Sequence, residues 1–215
     1  MGCLTLLLPI LIIIPLLIFL ILLNVITVSY GDLGLSSTSA IALLVSTLVG
    51  SMINIPISRR AVVYEQPQTV ISRFFFYLPP RVATQTVAIN VGGALIPALF
   101  AIYLIPRAML WQTLVATIVL IIISRFLSYP VSGMGIVMPA FVPPLASAGL
   151  ALLLAKSDPA PVAYISGTLG TLIGADLLNW NGVRRLGPHM ISIGGAGVFD
   201  GVFLAGVLAV VLTGL

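Results

Sequence analysis

Charge is what this chain has least of. Only 7% of its 215 residues are Asp, Glu, Lys or Arg, 60% are hydrophobic, and the mean hydropathy is +1.25. A soluble domain carries roughly 25% charged residues, so an ordinary water-soluble globule is excluded. The single cysteine, Cys3, excludes an internal disulfide. The single histidine, His189, in a Gly-Pro-His turn, leaves no His or Cys cluster that could form a metal shell. No GxSxG, phosphate-cradling glycine loop or paired-histidine signature occurs, and no metal or cofactor is expected. Nine Lys and Arg give a net charge of +4, but they lie almost entirely between apolar runs. That is the pattern of membrane-topology signals and not of a nucleic-acid footprint, so DNA and RNA partners are excluded.

What the chain has is long apolar runs. Seven are long enough to cross a bilayer, which takes about 20 residues each: Leu4 to Val28, Leu35 to Ile57, Thr86 to Ile105, Ala108 to Leu127, Val137 to Ala155, Ala160 to Trp180 and Ile191 to Thr213. The expectation is an all-α polytopic fold, with residues 1–215 as one integral membrane domain. The first run lacks a basic leader and exceeds a signal-peptide core in length, so it reads as a retained span. Met1-Gly2-Cys3 resembles the start of an acylation signal, but Leu6 stands where that signal needs Ser or Thr. The fifth run follows SYPVSGMG and contains Pro139, Pro143 and Pro144, which remove helix hydrogen bonds. A broken or re-entrant segment over Val131 to Pro144 is therefore expected.

The one long connection, Ser58 to Gln85, carries two β-branched and aromatic stretches, AVVYE and TVISRFFFY, separated by Gln66-Pro67-Gln68. This predicts a β-hairpin, with Phe74, Phe75, Phe76 and Tyr77 beside Arg73 and Arg81 suited to the headgroup level or to packing on the bundle. Alternate connections place Arg59, Arg60, Arg73, Arg81, Arg125, Arg184 and Arg185 on one side, with Arg107 and Lys156 on the other. The positive-inside rule then predicts a cell-membrane protein with a cytoplasmic amino terminus, an external carboxyl terminus and the lipid bilayer as its partner.

Against this background two acidic residues stand out. Asp176 and Asp200 lie in the last two runs, in GTLGTLIGADLLNW and GGAGVFDGVFLAGVLAV. A carboxylate at the centre of a membrane helix costs about 2.5–3.5 kcal/mol on insertion scales, so it faces a cavity or a partner. Helical spacing gives Ala163, Gly167, Gly170 and Gly174 one small-residue stripe, which predicts a central helix with a close neighbour and leaves Asp176 on another face with Asn179. Unwinding at Gly194, Gly195 and Gly197 would let Asp176 and Asp200 meet in the cytoplasmic half of the bilayer. Asn90, beside Gly92 and Gly93, is either a cavity residue or a bridge between helices. The competing structural reading pairs Asp176 with Arg184 or Arg185 and Asp200 with Arg125.

Two acids held close cannot both ionise, and such a pair activates water for attack on an amide carbonyl. The leading expectation is an intramembrane aspartyl hydrolase acting on membrane-inserted peptides. The alternatives are a proton- or cation-coupled permease using the same aspartates, and a non-catalytic scaffold. The GGAGVFDGVFLAGVLAV segment, with a second aspartate in the preceding run, resembles the glycine-aspartate helix of presenilin and signal-peptide-peptidase proteases. That resemblance implies that Asp176 and Asp200 are catalytic, supported by Pro97, Ala98 and Leu99, with Pro139-Ala140-Phe141 a looser version of the same tripeptide; helical spacing separately puts Ala196 and Gly197 on the Asp200 face as supporting residues. More of the chain (NVGGALIP, YPVSGMGIVMPAFVPPL, GTLGTLIGADLLNW and SIGGAGVFDGVFLAG) resembles an uncharacterised prokaryotic membrane family, domain of unknown function family 1614. This second resemblance implies one integral membrane unit and names no activity.

Overall fold

A computed structural model describes residues 2–64, 81–131, 135–183, 190–195 and 198–214. Helix α1 (Gly2–Gly31) leads to α2 (Ser37–Gly50), whose first turn is capped by the Ser36 hydroxyl accepting from the Ser39 N–H. Strands β1 (Asn54–Tyr64) and β2 (Arg81–Asn90) follow. A π-helical turn, Val91–Leu95, runs into α3 (Ile96–Leu104) and a 3-10 turn, Ile105–Arg107. Next come α4 (Leu110–Leu127), a short antiparallel pair of β3 (Tyr129–Val131) and β4 (Gly135–Val137), and α5 (Val142–Leu154). Helix α6 (Pro159–Thr171) continues as a second π-helical segment, Leu172–Leu177, before α7 (Trp180–Val183), β5 (Met190–Ile193) and α8 (Val198–Thr213).

The all-α fold with seven spans is corrected by this arrangement. Among the described residues, two helical stretches are long and apolar enough to cross a membrane, Leu110–Leu127 and Pro159–Gly182. They mark the chain as membrane-associated. Three of the expected spans are interrupted by strand. Asn54 to Ile57 of the second run belong to β1, Thr86 to Asn90 of the third to β2, and Ile191 to Ile193 of the seventh to β5. The reason lies in β-branched residues gathered at the ends of apolar runs, where hydropathy reads them as span but the backbone pairs them. The stretch leading into the fifth run forms the β3–β4 pair, which ends at Val137, and the run itself yields a helix of only 13 residues.

Strands β1 and β2 pair antiparallel from Asn54↔Asn90 to Tyr64↔Arg81, with an irregularity between Pro56 and Ser58. A strand pair is therefore present where a hairpin was expected, but it is longer and begins earlier. TVISRFFFY lies outside the described residues. Pro56 is tolerated because β1 is at the sheet edge, where a missing N–H breaks no ladder. Strand β5 adds to β2 in parallel, Thr86↔Met190 to Ile89↔Ile193. The connection between these two strands is most of the bundle.

Helix α6 is the centre of that bundle, packing against α3, α4, α5 and α8. Its small-residue stripe works as expected but serves more than one neighbour. A Cβ at Gly174 would lie 2.8 Å from Ser124 Cβ and one at Gly170 would run into Leu120, both on α4, whereas Gly167 faces Ala205 of α8 and Ser147 of α5. Alanines 116, 148, 151, 155, 163 and 209 fill the same seams, so helix backbones approach closely, as small residues allow in apolar surroundings. Helix α4, by contrast, turns Trp111, Ile118, Ile122 and Phe126 outward.

Arg107, Asp32 and Asp158 are charged groups at the connections between helices. The Arg107 guanidinium donates to the Leu33 carbonyl at 3.1 Å and lies 5.3 Å from the Tyr103 ring centroid. Partial burial and the neighbouring Asp32 push the Asp158 carboxyl above the ordinary aspartate range. An acid raised in the folded state favours the protonated fold, so its contribution to stability is fully present at low pH and is lost as pH rises through the folded value. Asp158→Asn is expected to flatten that decline and to raise the melting temperature slightly at neutral pH, measured by thermal unfolding in detergent across pH. Gly174→Val is expected to cost about 1–3 kcal/mol by overpacking against α4. Gly149→Ala in α5, where nothing lies within 4 Å of the added carbon, is expected to gain about 0.5–1 kcal/mol in the same assay.

Candidate functional site

The sheet and the bundle meet at two π-helical turns, where Asn54, Asn90, Asp176 and Ser192 make hydrogen bonds. The first turn, Val91–Leu95, is glycine-rich and capped by Asn90, whose Oδ1 accepts from the Gly93 N–H at 2.6 Å. The other face of the Asn90 amide donates to the Ser51 carbonyl at 2.7 Å and to Asn54 Oδ1 at 3.2 Å. Asn54 Oδ1 also accepts from the Ser192 hydroxyl of β5. One amide thus ties α2, β1 and the first π turn together, while Asn54 brings in β5. A Cβ at Gly50 would stand 3.0 Å from the Gly92 backbone nitrogen, so these two backbones touch with no side chain between them. Through these bonds Asn90 bridges elements.

Asp176 sits in the second π segment, Leu172–Leu177, and is 3% exposed. Its Oδ2 accepts from the Gly194 N–H at 2.7 Å. Gly194 follows β5 with φ +68°, a left-handed conformation in which glycine carries no Cβ penalty. A Cβ there would lie 2.5 Å from Ala94 Cβ and 2.7 Å from the Gly93 carbonyl carbon. Gly194 is therefore wedged between the two π turns, packed on one and hydrogen-bonded to the carboxylate of the other. Ala94 and Ala175 belong to a buried apolar cluster with Ile136, Met138, Leu172 and Ile191, against which Ala98 packs.

The π segment decides which way Asp176 faces. In an unbroken α-helix, five residues on from Thr171 is a rotation of roughly 140° away at about 100° per residue. Bonding from i to i+5, as in Leu178 N–H to the Ile173 carbonyl at 2.9 Å, holds one extra residue per turn and brings Asp176 back above Thr171. Uniform helical spacing therefore misplaces it.

Asn179 is buried, donating to Ser128 Oγ at 2.6 Å and to the Ala175 carbonyl at 2.8 Å. It ties α6 to the end of α4 and does not contact Asp176 through these bonds. Of the tripeptide, Pro97 is buried in the first turn of α3, Ala98 packs against the apolar cluster that contains Leu172 and Ala175, and Leu99 is 57% exposed. Leu99 points outward from α3. Asp200 is in the first turn of α8, but its side chain lies outside the described residues, as do Gly197, Arg184, Arg185 and His189. Arg125 is exposed at the end of α4. Among the described residues no group of three His, Cys, Asp or Glu could hold a metal ion. Sequence reasoning missed Asn54, Ser128 and Ser192 as partners, because each is recruited from a distant element.

A membrane-associated helical bundle capped by a small mixed sheet, with a buried aspartate at their junction, is the class that this fold defines. Residues 48–212 match the family of proteins of unknown function DUF1614, and the chain belongs to that family. No curated protein and no solved structure matches the chain. The presenilin-type resemblance of the Asp200 segment is thus not carried by these comparisons. Gly194→Ala is expected to destabilise the protein by about 1–2 kcal/mol from the left-handed backbone alone, with displacement of Ala94 adding to it. Asp176→Asn is expected to stay folded, because an amide oxygen can still accept the Gly194 N–H. Thermal unfolding of the two variants checks both.

Proposed function

We propose that this protein is a membrane-embedded hydrolase of the aspartyl type, acting on peptide bonds of membrane-inserted substrates, with Asp176 and Asp200 as its acid pair. The observation that carries the reading is the Asp176 to Gly194 hydrogen bond. It brings the chain that leads into the Asp200 helix directly onto the other carboxylate, six residues ahead of Asp200. A carboxylate so enclosed, with apolar side chains around it, is the setting in which one acid of a pair stays protonated and the other accepts a proton from water.

Strand β5 adds support. It is the outer strand of the sheet among the described residues, with β2 on one side only, and it ends at Gly194. An extended peptide pairing along that edge would be led to the aspartate by main-chain hydrogen bonds. In this reading the sheet and its arginines face the cytoplasm, following the positive-inside rule, and the site opens to that side. The protein in lipid vesicles is expected to cleave a membrane-inserted reporter peptide, and Asp176→Asn and Asp200→Asn are each expected to reduce the rate on the order of 10²–10⁴-fold. Full activity in either folded variant overturns the acid pair.

A further inference from the structure

Helix α1 is apolar on every side, yet it packs chiefly on α2 and α8 alone. Leu17, Phe19, Ile21, Leu22 and Val28 are each more than half exposed. A helix that is hydrophobic all round lies in lipid or against other protein. Its hydroxyls are satisfied within the helix, Thr27 donating to the Leu23 carbonyl and Ser29 to the Val25 carbonyl, each at 2.9 Å. The Asn24 amide is different. It is exposed, and its side chain makes no hydrogen bond to any described residue. Asn90 and Asn179, by contrast, spend their amides on buried partners.

Leu17, Ile21, Asn24 and Val28 follow one another at intervals of four, three and four residues. They therefore form one stripe, with the spacing of a seam between two helices. That stripe is one wall of an open groove of about 510 Å³, whose other wall is Val211 and Gly214 at the end of α8. Ser29 also borders the groove, but its hydroxyl is committed to Val25. Asn24 is thus a free amide in the middle of an apolar lining. It lies seven residues before the helix end at Gly31, about 10 Å along the axis at 1.5 Å per residue. At that depth in a bilayer whose apolar core is about 30 Å thick there is no water to bond it. Whatever covers the groove has to bring both a donor and an acceptor to the height of Asn24.

We propose that this stripe of α1 is a self-association surface, covered by α1 of a second copy of the chain, with the two Asn24 amides hydrogen-bonded across a two-fold axis that runs along the helices. Lipid acyl chains fill a groove but offer no donor or acceptor. A substrate helix would need a polar residue at one particular height, and such residues are rare in membrane segments. A second copy in the same orientation brings Asn24 to the same depth every time. Its Nδ2 donates to the facing Oδ1, and the symmetry-related atoms return the bond. Leu17, Ile21 and Val28 pack against their counterparts, while the amide pair fixes the register of one helix on the other. The pairing involves neither Asp176 nor Asp200 and does not rest on the hydrolase.

The test uses the full chain in phosphatidylcholine–phosphatidylglycerol vesicles, with Cys3→Ser as the background so that an introduced cysteine is the one thiol present. Under mild copper–phenanthroline oxidation Ile21→Cys is expected to give a disulfide-linked dimer. Phe19→Cys, about 200° away around the helix at 100° per residue, is expected to give none. A second measurement mixes copies carrying donor and acceptor dyes at the carboxyl terminus and follows energy transfer as lipid is added. Asn24→Leu is expected to weaken association about 3- to 30-fold, the range for one interhelical hydrogen bond in a membrane, while Asn24→Gln, which keeps both donor and acceptor, stays close to wild type. Because Asn24 is exposed, both variants are expected to fold, which thermal unfolding checks. Wild-type copies that stay apart at every protein density overturn the pairing and leave the groove to lipid. An Asn24→Leu protein that associates as tightly as wild type overturns it too, as does linkage through Phe19→Cys in place of Ile21→Cys. A membrane-inserted reporter peptide with a single cysteine that captures Ile21→Cys in preference to a second copy gives the groove to substrate and likewise overturns the pairing.

Discussion

The hydrogen bond from the Gly194 N–H to Asp176 is the interaction around which the molecule is arranged. It needs a carboxylate turned inward by a π segment, a residue that can adopt φ +68°, and a first π turn with no side chain where Gly194 must fit. Each requirement is met by a different stretch of chain: the first π turn lies about 100 residues before Gly194, and Asp176 lies 18 before it. Because the donor is backbone, the bond fixes the path of the chain out of β5 as well as one side chain. The sheet and the bundle are thus joined at this bond, alongside the tie that Asn90 makes between α2, β1 and the first π turn.

A second level of order comes from how small the side chains are. Glycines and alanines along α6 let three helices approach it, and Gly50 and Gly92 let α2 touch the first π turn. Close backbone approach replaces the bulky interlocking of a soluble core with many short-range contacts, which suits a helix bundle whose surroundings are already apolar. It also explains why α4 can present Trp111 and Phe126 outward while Ser124 and Thr113 lie inward. In a protein of water that arrangement would be inverted.

The polar groups divide into two kinds. Asn54, Asn90, Ser192, Asn179 and Ser128 spend their bonding capacity on holding elements together. Ser124 and Thr171, both fully buried, do not. Polar residues that tie elements and polar residues that lack protein partners are indistinguishable in a list of apolar-run exceptions. They separate only when each bond is counted.

The amino-acid sequence by itself determined the apolar class, the placement of charge at the ends of helices, the small-residue stripe of α6 and the oddness of Asp176, because each is a matter of composition or regular spacing. It also marked Ser58 to Gln85 as strand-forming. Only the tertiary structure decided that three supposed spans end in strands, since hydropathy scores a paired valine and a lipid-facing valine alike. Only the tertiary structure turned Asp176 through the π segment, because one extra residue in a helical turn leaves no mark that periodicity can read. The meeting of Gly194 with two π turns depends on contacts between residues far apart in the chain, and backbone geometry of that kind is written in no local pattern.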